Sequence, residues 1–121
     1  FLPESVTSLG TNSFSGCKQL QSIKIAAGNR YFSAVDGVVF DKEMTRLIFC
    51  GVYTKSKYEV PSTVTVICRY AFQYNDQLIS IVIPNSVVTI EVRAFYKCTG
   101  LTSIVIPCSV TCIGEAAFEF C

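Results

Sequence analysis

Apolar and polar positions in this chain return with a period of 23 residues. Three stretches superimpose without gaps. Val60-Pro61-Ser62-Thr63-Val64 leads to Ile67 and then Ala71-Phe72. Ile83-Pro84-Asn85-Ser86-Val87 leads to Ile90 and then Ala94-Phe95-Tyr96-Lys97-Cys98. Ile106-Pro107-Cys108-Ser109-Val110 leads to Ile113 and then Ala117-Phe118-Glu119-Phe120-Cys121. A fourth copy opens the chain as Leu2-Pro3-Glu4-Ser5-Val6, Leu9 and Ser13-Phe14-Ser15-Gly16-Cys17. Such self-similarity marks an array in which no unit buries its own apolar face and neighbours share a continuous core.

Before each proline lies a short alternating run: Leu20-Gln21-Ser22-Ile23-Lys24-Ile25, Leu78-Ile79-Ser80-Ile81-Val82-Ile83 and Leu101-Thr102-Ser103-Ile104-Val105-Ile106. A period of two predicts a strand with one face buried. Ile23, Ile25, Ile81, Ile83, Ile104 and Ile106 then face inward. Two ladders face outward, Ser22, Lys57, Ser80, Ser103 and Lys24, Glu59, Val82, Val105. Proline ends the strand where its missing N–H does least harm. The leg from Ile to Ala-Phe reads as an irregular return with one or two helical turns, which closes a parallel crossover. Phe72, Phe95 and Phe118 occupy one repeat position and are expected to stack. Cys17, Cys98 and Cys121 share the next as interior plugs, with Asn75 in that place in the intervening unit. Cys98 and Cys121 would be stacked neighbours for which a disulfide is conceivable, although packing as reduced, hydrophobe-like thiols is the expected state.

The pattern Leu-x-x-Ile-x-Ile-Pro-x-Ser-Val, followed by Ile and Ala-Phe-x-x-Cys, resembles the BspA-like, or Treponema-type, leucine-rich repeat over essentially the whole chain. It departs from the better-known form by placing Ser86 and Ser109 where that form has Asn, so no Asn ladder is expected at that turn. Together with the periodicity, the resemblance implies an α/β fold: a right-handed leucine-rich-repeat solenoid with a parallel β-sheet and 23-residue repeats. The units are a partial repeat 1–19, a long repeat 20–54, and repeats 55–77, 78–100 and 101–121, within a single domain spanning 1–121.

The long unit is the exception. From Leu20 to the next strand, near Lys55, there are 35 residues instead of 23. The excess holds two β-rich runs, Tyr31–Phe40 and Arg46–Cys50, separated by Asp41-Lys42-Glu43-Met44-Thr45, with Asp36-Gly37 as a further turn signal. Val38–Phe40 and Arg46–Phe49 are predicted to pair as an antiparallel hairpin outside the regular repeat. It is expected on the flank of the array, where insertions collect, so that excising it leaves the other repeats folded; a protruding partner contact is the alternative. Asp-Gly-Val-Val-Phe-Asp-Lys also resembles a recurrent long variant of the same repeat family.

Composition narrows the function. There is no histidine among the 121 residues, which removes the commonest general base and the usual activator of a Ser or Cys nucleophile. Cys108-x-x-x-Cys112 is the nearest approach to a thiolate metal motif and lacks paired spacing. Asp36 with Asp41, and Glu115 with Glu119, are pairs without a third partner. No enzyme, cofactor or metal site is expected. Ten basic and nine acidic residues give a formal charge of +1 without basic clustering, so nucleic acid is not an expected partner. No apolar run approaches the roughly 20 residues of a membrane helix, so this segment is not expected to insert into a membrane.

What remains is surface. The two outward ladders form the candidate protein-binding concave face: Ser22, Lys24, Lys57, Glu59, Ser80, Val82, Ser103 and Val105. Val82 beside Val105 reads either as a small apolar contact patch or as plain β-propensity. The resemblance implies a cell-surface or secreted protein in which this module recognises or adheres to another protein, such as a host or extracellular-matrix protein. A passive spacer in a larger multidomain protein is the alternative. The chain opens at a strand end, Leu2-Pro3, and stops at Phe118-Glu119-Phe120-Cys121 without a polar outer face. It therefore reads as a piece of a longer array, marginally stable alone and inclined to associate end to end.

Overall fold

In the computed structural model of the chain, residues 1–52 and 55–121 are described; the last two residues of the expected long unit, 53 and 54, lie outside them. The nine strands of the described residues form two sheets. The first sheet is parallel and three-stranded, in the order β4 (Lys57–Glu59), β6 (Ser80–Val82), β8 (Ser103–Ile104). Its partners are 23 positions apart: Lys57↔Ser80, Tyr58↔Ile81 and Glu59↔Val82, then Ser80↔Ser103 and Ile81↔Ile104. Alternation does the sorting. Ile23, Ile81 and Ile83 are buried, and Ile25, Ile104 and Ile106 are half-buried against the same cores. The strand preceding this sheet is missing: Ser22–Lys24 forms none, and Ile25 makes only an isolated parallel bridge with Leu2.

Each proline opens a turn. Its carbonyl accepts from the valine three residues on, at 3.0 Å for Pro61–Val64, 3.1 Å for Pro84–Val87 and 3.1 Å for Pro107–Val110. Proline lacks a donor but not an acceptor, so it ends the strand and still closes the turn.

The expected helical turns are absent. No helix occurs among the described residues, so the fold is all-β and not α/β. The return legs carry a second sheet, ordered β1-β2-β3-β5-β7-β9. Its parallel part is β3 (Arg46–Cys50), β5 (Val66–Ile67), β7 (Thr89–Ile90) and β9 (Cys112–Ile113), which align Leu47, Ile67, Ile90 and Ile113. Beyond each strand the chain turns through left-handed residues at Tyr70, Arg93 and Ala116, and again at Tyr74, Lys97 and Phe120. A positive φ every fourth residue cannot sustain a right-handed helix. The amides bond sideways instead, as in Cys50 N to Ala71 O (2.7 Å), Phe72 N to Ala94 O (2.8 Å) and Phe95 N to Ala117 O (2.8 Å).

The aromatic stack forms as expected. Phe72, Phe95 and Phe118 lie parallel, with centroids 5.0 and 5.2 Å apart and interplanar angles of 6°. The plug position beside them is a donor position. Cys98 Sγ donates to Phe72 O at 3.0 Å, and Cys121 Sγ to Phe95 O at 3.1 Å. Asn75 Nδ2 donates to Cys50 O at 3.2 Å and Phe72 O at 3.0 Å. All seven cysteines are free thiols. Two of the three expected plugs depart from burial. Cys121 is exposed although its sulfur is bonded, and Cys17 is exposed outright. Phe14 packs on Phe49 at 4.7 Å, away from the main stack, and its carbonyl accepts from Gln73 Nε2 at 2.7 Å. That leg is drawn to the hairpin, which leaves Cys17 at the surface.

The insert differs most from expectation. β1 (Phe32–Val35) and β2 (Val38–Asp41) are antiparallel across Asp36-Gly37, whose φ values of 50° and 80° suit a two-residue hairpin turn. The run 31–40 is thus two strands with a turn inside it. β2 pairs with β3 as predicted (Val38↔Cys50, Val39↔Phe49, Phe40↔Leu47), with a register shift between Val39 and Phe40. This meander does not sit on the flank. Val38, Phe40, Leu47 and Cys50 are buried in the main core. Val39 and Phe49 are buried with Ile23 in a second cluster that includes Leu2, Phe14 and Leu20. A ribbon apolar on both faces must be covered on both, so it stands as a wall between the first copy and the rest. Its third strand also serves as a regular strand of the second sheet.

Two polar side chains seat the wall. Asp41 Oδ1 accepts from the amides of Thr45 (2.7 Å) and Arg46 (2.9 Å), which closes the β2–β3 turn. Buried Asn29 donates to Pro3 O (2.9 Å) and Val6 O (3.0 Å) and accepts from the amides of Tyr31 and Phe32 (both 2.9 Å). It ties the first proline turn to β1 with every bond satisfied.

Candidate recognition surfaces

The outward face of the first sheet is small and mixed. Pairing sets Ser80 beside Ser103, and Lys57 and Glu59 beside Ser80 and Val82. Lys57 Nζ lies 2.9 Å from Glu59 Oε1, with both side chains more than half exposed, so the pair is worth little energetically. The apolar members are less ordinary: Val82 is 46% and Val105 is 81% exposed. Ser22 and Lys24 are exposed as expected, but they are not hydrogen-bonded into this sheet. Gly37 at the β1–β2 turn packs on Ser22, and a Cβ there would lie 3.0 Å from that of the serine. Of the eight candidate residues, the fold brings Lys57, Glu59, Ser80, Val82 and Ser103 together on paired strands, with Val105 directly after β8. Ser22 and Lys24 stand apart across the break.

A cavity with no signature in the sequence lies elsewhere. Ser8–Phe14 arches over the hairpin end of the second sheet and encloses a cavity of about 320 Å³. Phe32, Phe49, Cys68 and Gln73 are buried in its lining, Leu9, Phe14 and Ile48 are the half-buried apolar residues beside Asp41, Tyr70 and Glu91, and Arg46 and Arg69 are exposed.

Along the turns that follow the second sheet runs a third feature, an aromatic and cationic ladder. Tyr74 and Tyr96 meet edge to face at 5.9 Å, as do Tyr96 and Phe120 at 5.8 Å. Lys97 Nζ lies 5.3 Å from the Tyr96 centroid and Lys18 Nζ 5.2 Å from that of Tyr74, distances typical of cation–π contact. Tyr74, Lys97 and Phe120 share one repeat position, 23 residues apart, and this spacing is the ladder's signal in the sequence. Arg93 bridges this ladder to Glu119 (3.2 Å) and to the Tyr70 hydroxyl (3.3 Å).

The three buried thiols are chemically quiet. Burial pushes Cys50 up to about 12, with a contribution from Cys98. Cys98 is likewise near 12 through burial and the neighbouring Cys121. Burial raises Cys68 to about 11 even though Arg46 opposes it. Raised thiols are poor nucleophiles at neutral pH. Among the described residues no three His, Cys, Asp or Glu side chains gather where they could hold a metal ion.

The sequence matches the family model of the BspA type leucine rich repeat region in six copies across residues 1–121. The chain belongs to this family. A leucine-rich repeat protein from Eubacterium ventriosum has a similar crystal structure, with a TM-score of 0.96 at 30% identity, covering 99% of this chain and 32% of that one. A leucine rich cell surface protein from Faecalibacterium prausnitzii gives 0.89 at 31% identity over 99% and 32%. The pneumococcal vaccine antigen PcpA gives 0.77 at 28% identity over 96% and 35%. This BspA-type chain therefore spans about a third of the length of the solved relatives it matches. No curated protein matches it. The fold is the leucine-rich-repeat fold, with parallel strands in its sheets and no helix among the described residues.

Proposed function

We propose that this chain is a non-catalytic recognition module of a surface or secreted protein, binding a protein partner through the outward face of the first sheet. The observation that carries the proposal is the exposure of Val82 and Val105 on a face whose reverse packs on the core. β-branched apolar side chains continue the row begun by Glu59 on this strand face, with Lys57, Ser80 and Ser103 on the row beside them, so apolar area lies next to polar groups, as in a contact patch. The surface setting is supported by two solved relatives, a leucine rich cell surface protein and a vaccine antigen. Ser22 and Lys24 belong to the proposed surface as a second patch across the break. We take the coil to be right-handed, since parallel crossovers are so in about 98% of cases. Its regular unit is taken as the 23 residues that separate paired strands, with unit boundaries at 20, 55, 78 and 101.

Surface plasmon resonance against a panel of purified extracellular host and matrix proteins tests this. A partner bound by the wild type should bind Val82→Asp/Val105→Asp at least about tenfold more weakly, because a central carboxylate is buried unpaired in the complex. A folded double variant that binds the same partner equally well would exclude this face, and a chain that binds none of the panel would favour a spacer.

A further inference from the structure

The cavity under Ser8–Phe14 is the feature that recognition through the first sheet leaves unused. It lies against the other sheet and has the size of a small-molecule site: about 320 Å³, with Leu9, Phe14, Phe32, Ile48 and Phe49 as its apolar lining and the charged side chains of Asp41, Arg46, Arg69 and Glu91 beside them. Its wall is built. Phe14 packs on Phe49 at 4.7 Å, and Gln73, itself buried, holds the arch by donating to Phe14 O at 2.7 Å and accepting from Gly16 N at 3.1 Å.

The charges of the lining are unequally committed. Asp41 accepts from Thr45 N, Arg46 N and Thr45 Oγ1, the last at 2.6 Å, so both its oxygens are in use. Glu91 is likewise spent, on the Arg46 guanidinium at 3.1 Å and on Arg69 N at 2.9 Å. The two carboxylates are thereby committed to donors of Thr45, Arg46 and Arg69, the Arg46 guanidinium among them. The Arg69 guanidinium has no ion-pair or hydrogen-bond partner among the described residues, and Arg69 is an exposed residue of the lining. The cavity offers an apolar interior and one uncommitted cation.

We propose that this cavity binds a small amphipathic carboxylate, with an aryl or short alkyl body against Phe14, Ile48 and Phe49 and the carboxylate on the guanidinium of Arg69. A neutral apolar molecule would fill the interior but leave the Arg69 charge unanswered. A cation would meet both arginines. The site is independent of the proposed first-sheet face and neither test depends on the other.

The probe is 4-phenylbutyrate, with 4-phenylbutan-1-ol as its neutral counterpart, titrated into the 121-residue chain and followed by amide chemical shifts. The acid should bind saturably, with a dissociation constant on the order of 10⁻⁴ to 10⁻³ M for a ligand of its size. The shifts should centre on Ser8–Ser13 and β3. Arg69→Gln should weaken the acid about five- to tenfold, the loss of one charge-assisted contact, and leave the alcohol unchanged. Ile48→Trp, which fills the cavity, should abolish both. Arg69 is exposed, so its replacement leaves the core intact and carries the test even where Ile48→Trp fails to fold. The proposal is overturned by non-saturating shifts, by shifts centred elsewhere, by equal binding of acid and alcohol to the wild type, or by an Arg69→Gln variant that weakens neither or both alike.

Discussion

Phe95 is the most informative single residue to remove. Its ring is fully buried, with Phe72 stacked at 5.0 Å on one side and Phe118 at 5.2 Å on the other. Phe95→Ala loses the transfer free energy of the ring and leaves a cavity that two stacked rings and a sheet cannot close, a cost of about 3–5 kcal/mol. Each lost stacked pair belongs to interactions worth roughly 0.5–1.5 kcal/mol beyond area, so the upper part of that range is expected. Against a total stability of roughly 6–18 kcal/mol for a domain of this length, the loss is large but survivable. Phe118→Ala is the internal control. That ring has one stacked neighbour and is only half-buried, so its removal should cost about 1–2 kcal/mol. Urea denaturation followed by circular dichroism is the assay, with the midpoint falling and the m-value unchanged if the transition stays cooperative. A cost below about 1 kcal/mol for Phe95→Ala, or equal costs at 95 and 118, would refute the stack as the spine of the core.

Two further outcomes follow from the same structure. Well below pH 9 the buried thiols of Cys50, Cys68 and Cys98 are neutral in both folded and unfolded chains. As pH rises past the ordinary value of 9.0 towards the folded values of about 11 to 12, only the unfolded chain releases these protons. Stability is therefore lost through that window, by up to about 1.4 kcal/mol per pH unit for each thiol. Cys98→Ala should be less stable than wild type at pH 8 but show a flatter alkaline decline, and parallel urea-midpoint profiles from pH 8 to 10.5 would contradict the burial. Excising residues 31–45 should abolish the cooperative transition, because the cut removes β1, β2 and the seat of β3 from between two apolar clusters; a clean excision that keeps the wild-type midpoint would restore the hairpin to the flank.

Much of the architecture was written in the chain's periodicities. A two-residue alternation needs no tertiary information to say which isoleucine faces inward, because successive strand side chains must point to opposite faces. A 23-residue recurrence stacks like on like, so Phe72, Phe95 and Phe118 had to meet once the units were stacked. The outward ladder followed from the same register, which is why Lys57, Ser80, Val82 and Ser103 do share a face. Three things were settled only by the folded chain. The return leg formed no helix because left-handed residues at Tyr70, Arg93 and Ala116 follow its short strand and the amides beyond them bond to the neighbouring unit, and no local propensity of Tyr, Arg or Ala announces a positive φ. The insert became a wall because both of its faces are apolar, and alternation cannot say whether a second covering surface exists until Ile23, Leu2 and Phe14 supply one. The cavity beneath Ser8–Phe14 joins residues from position 8 to position 91. A concavity of that kind has no sequence signature, since it arises where the wall forces one leg away from the stack and packing is left incomplete.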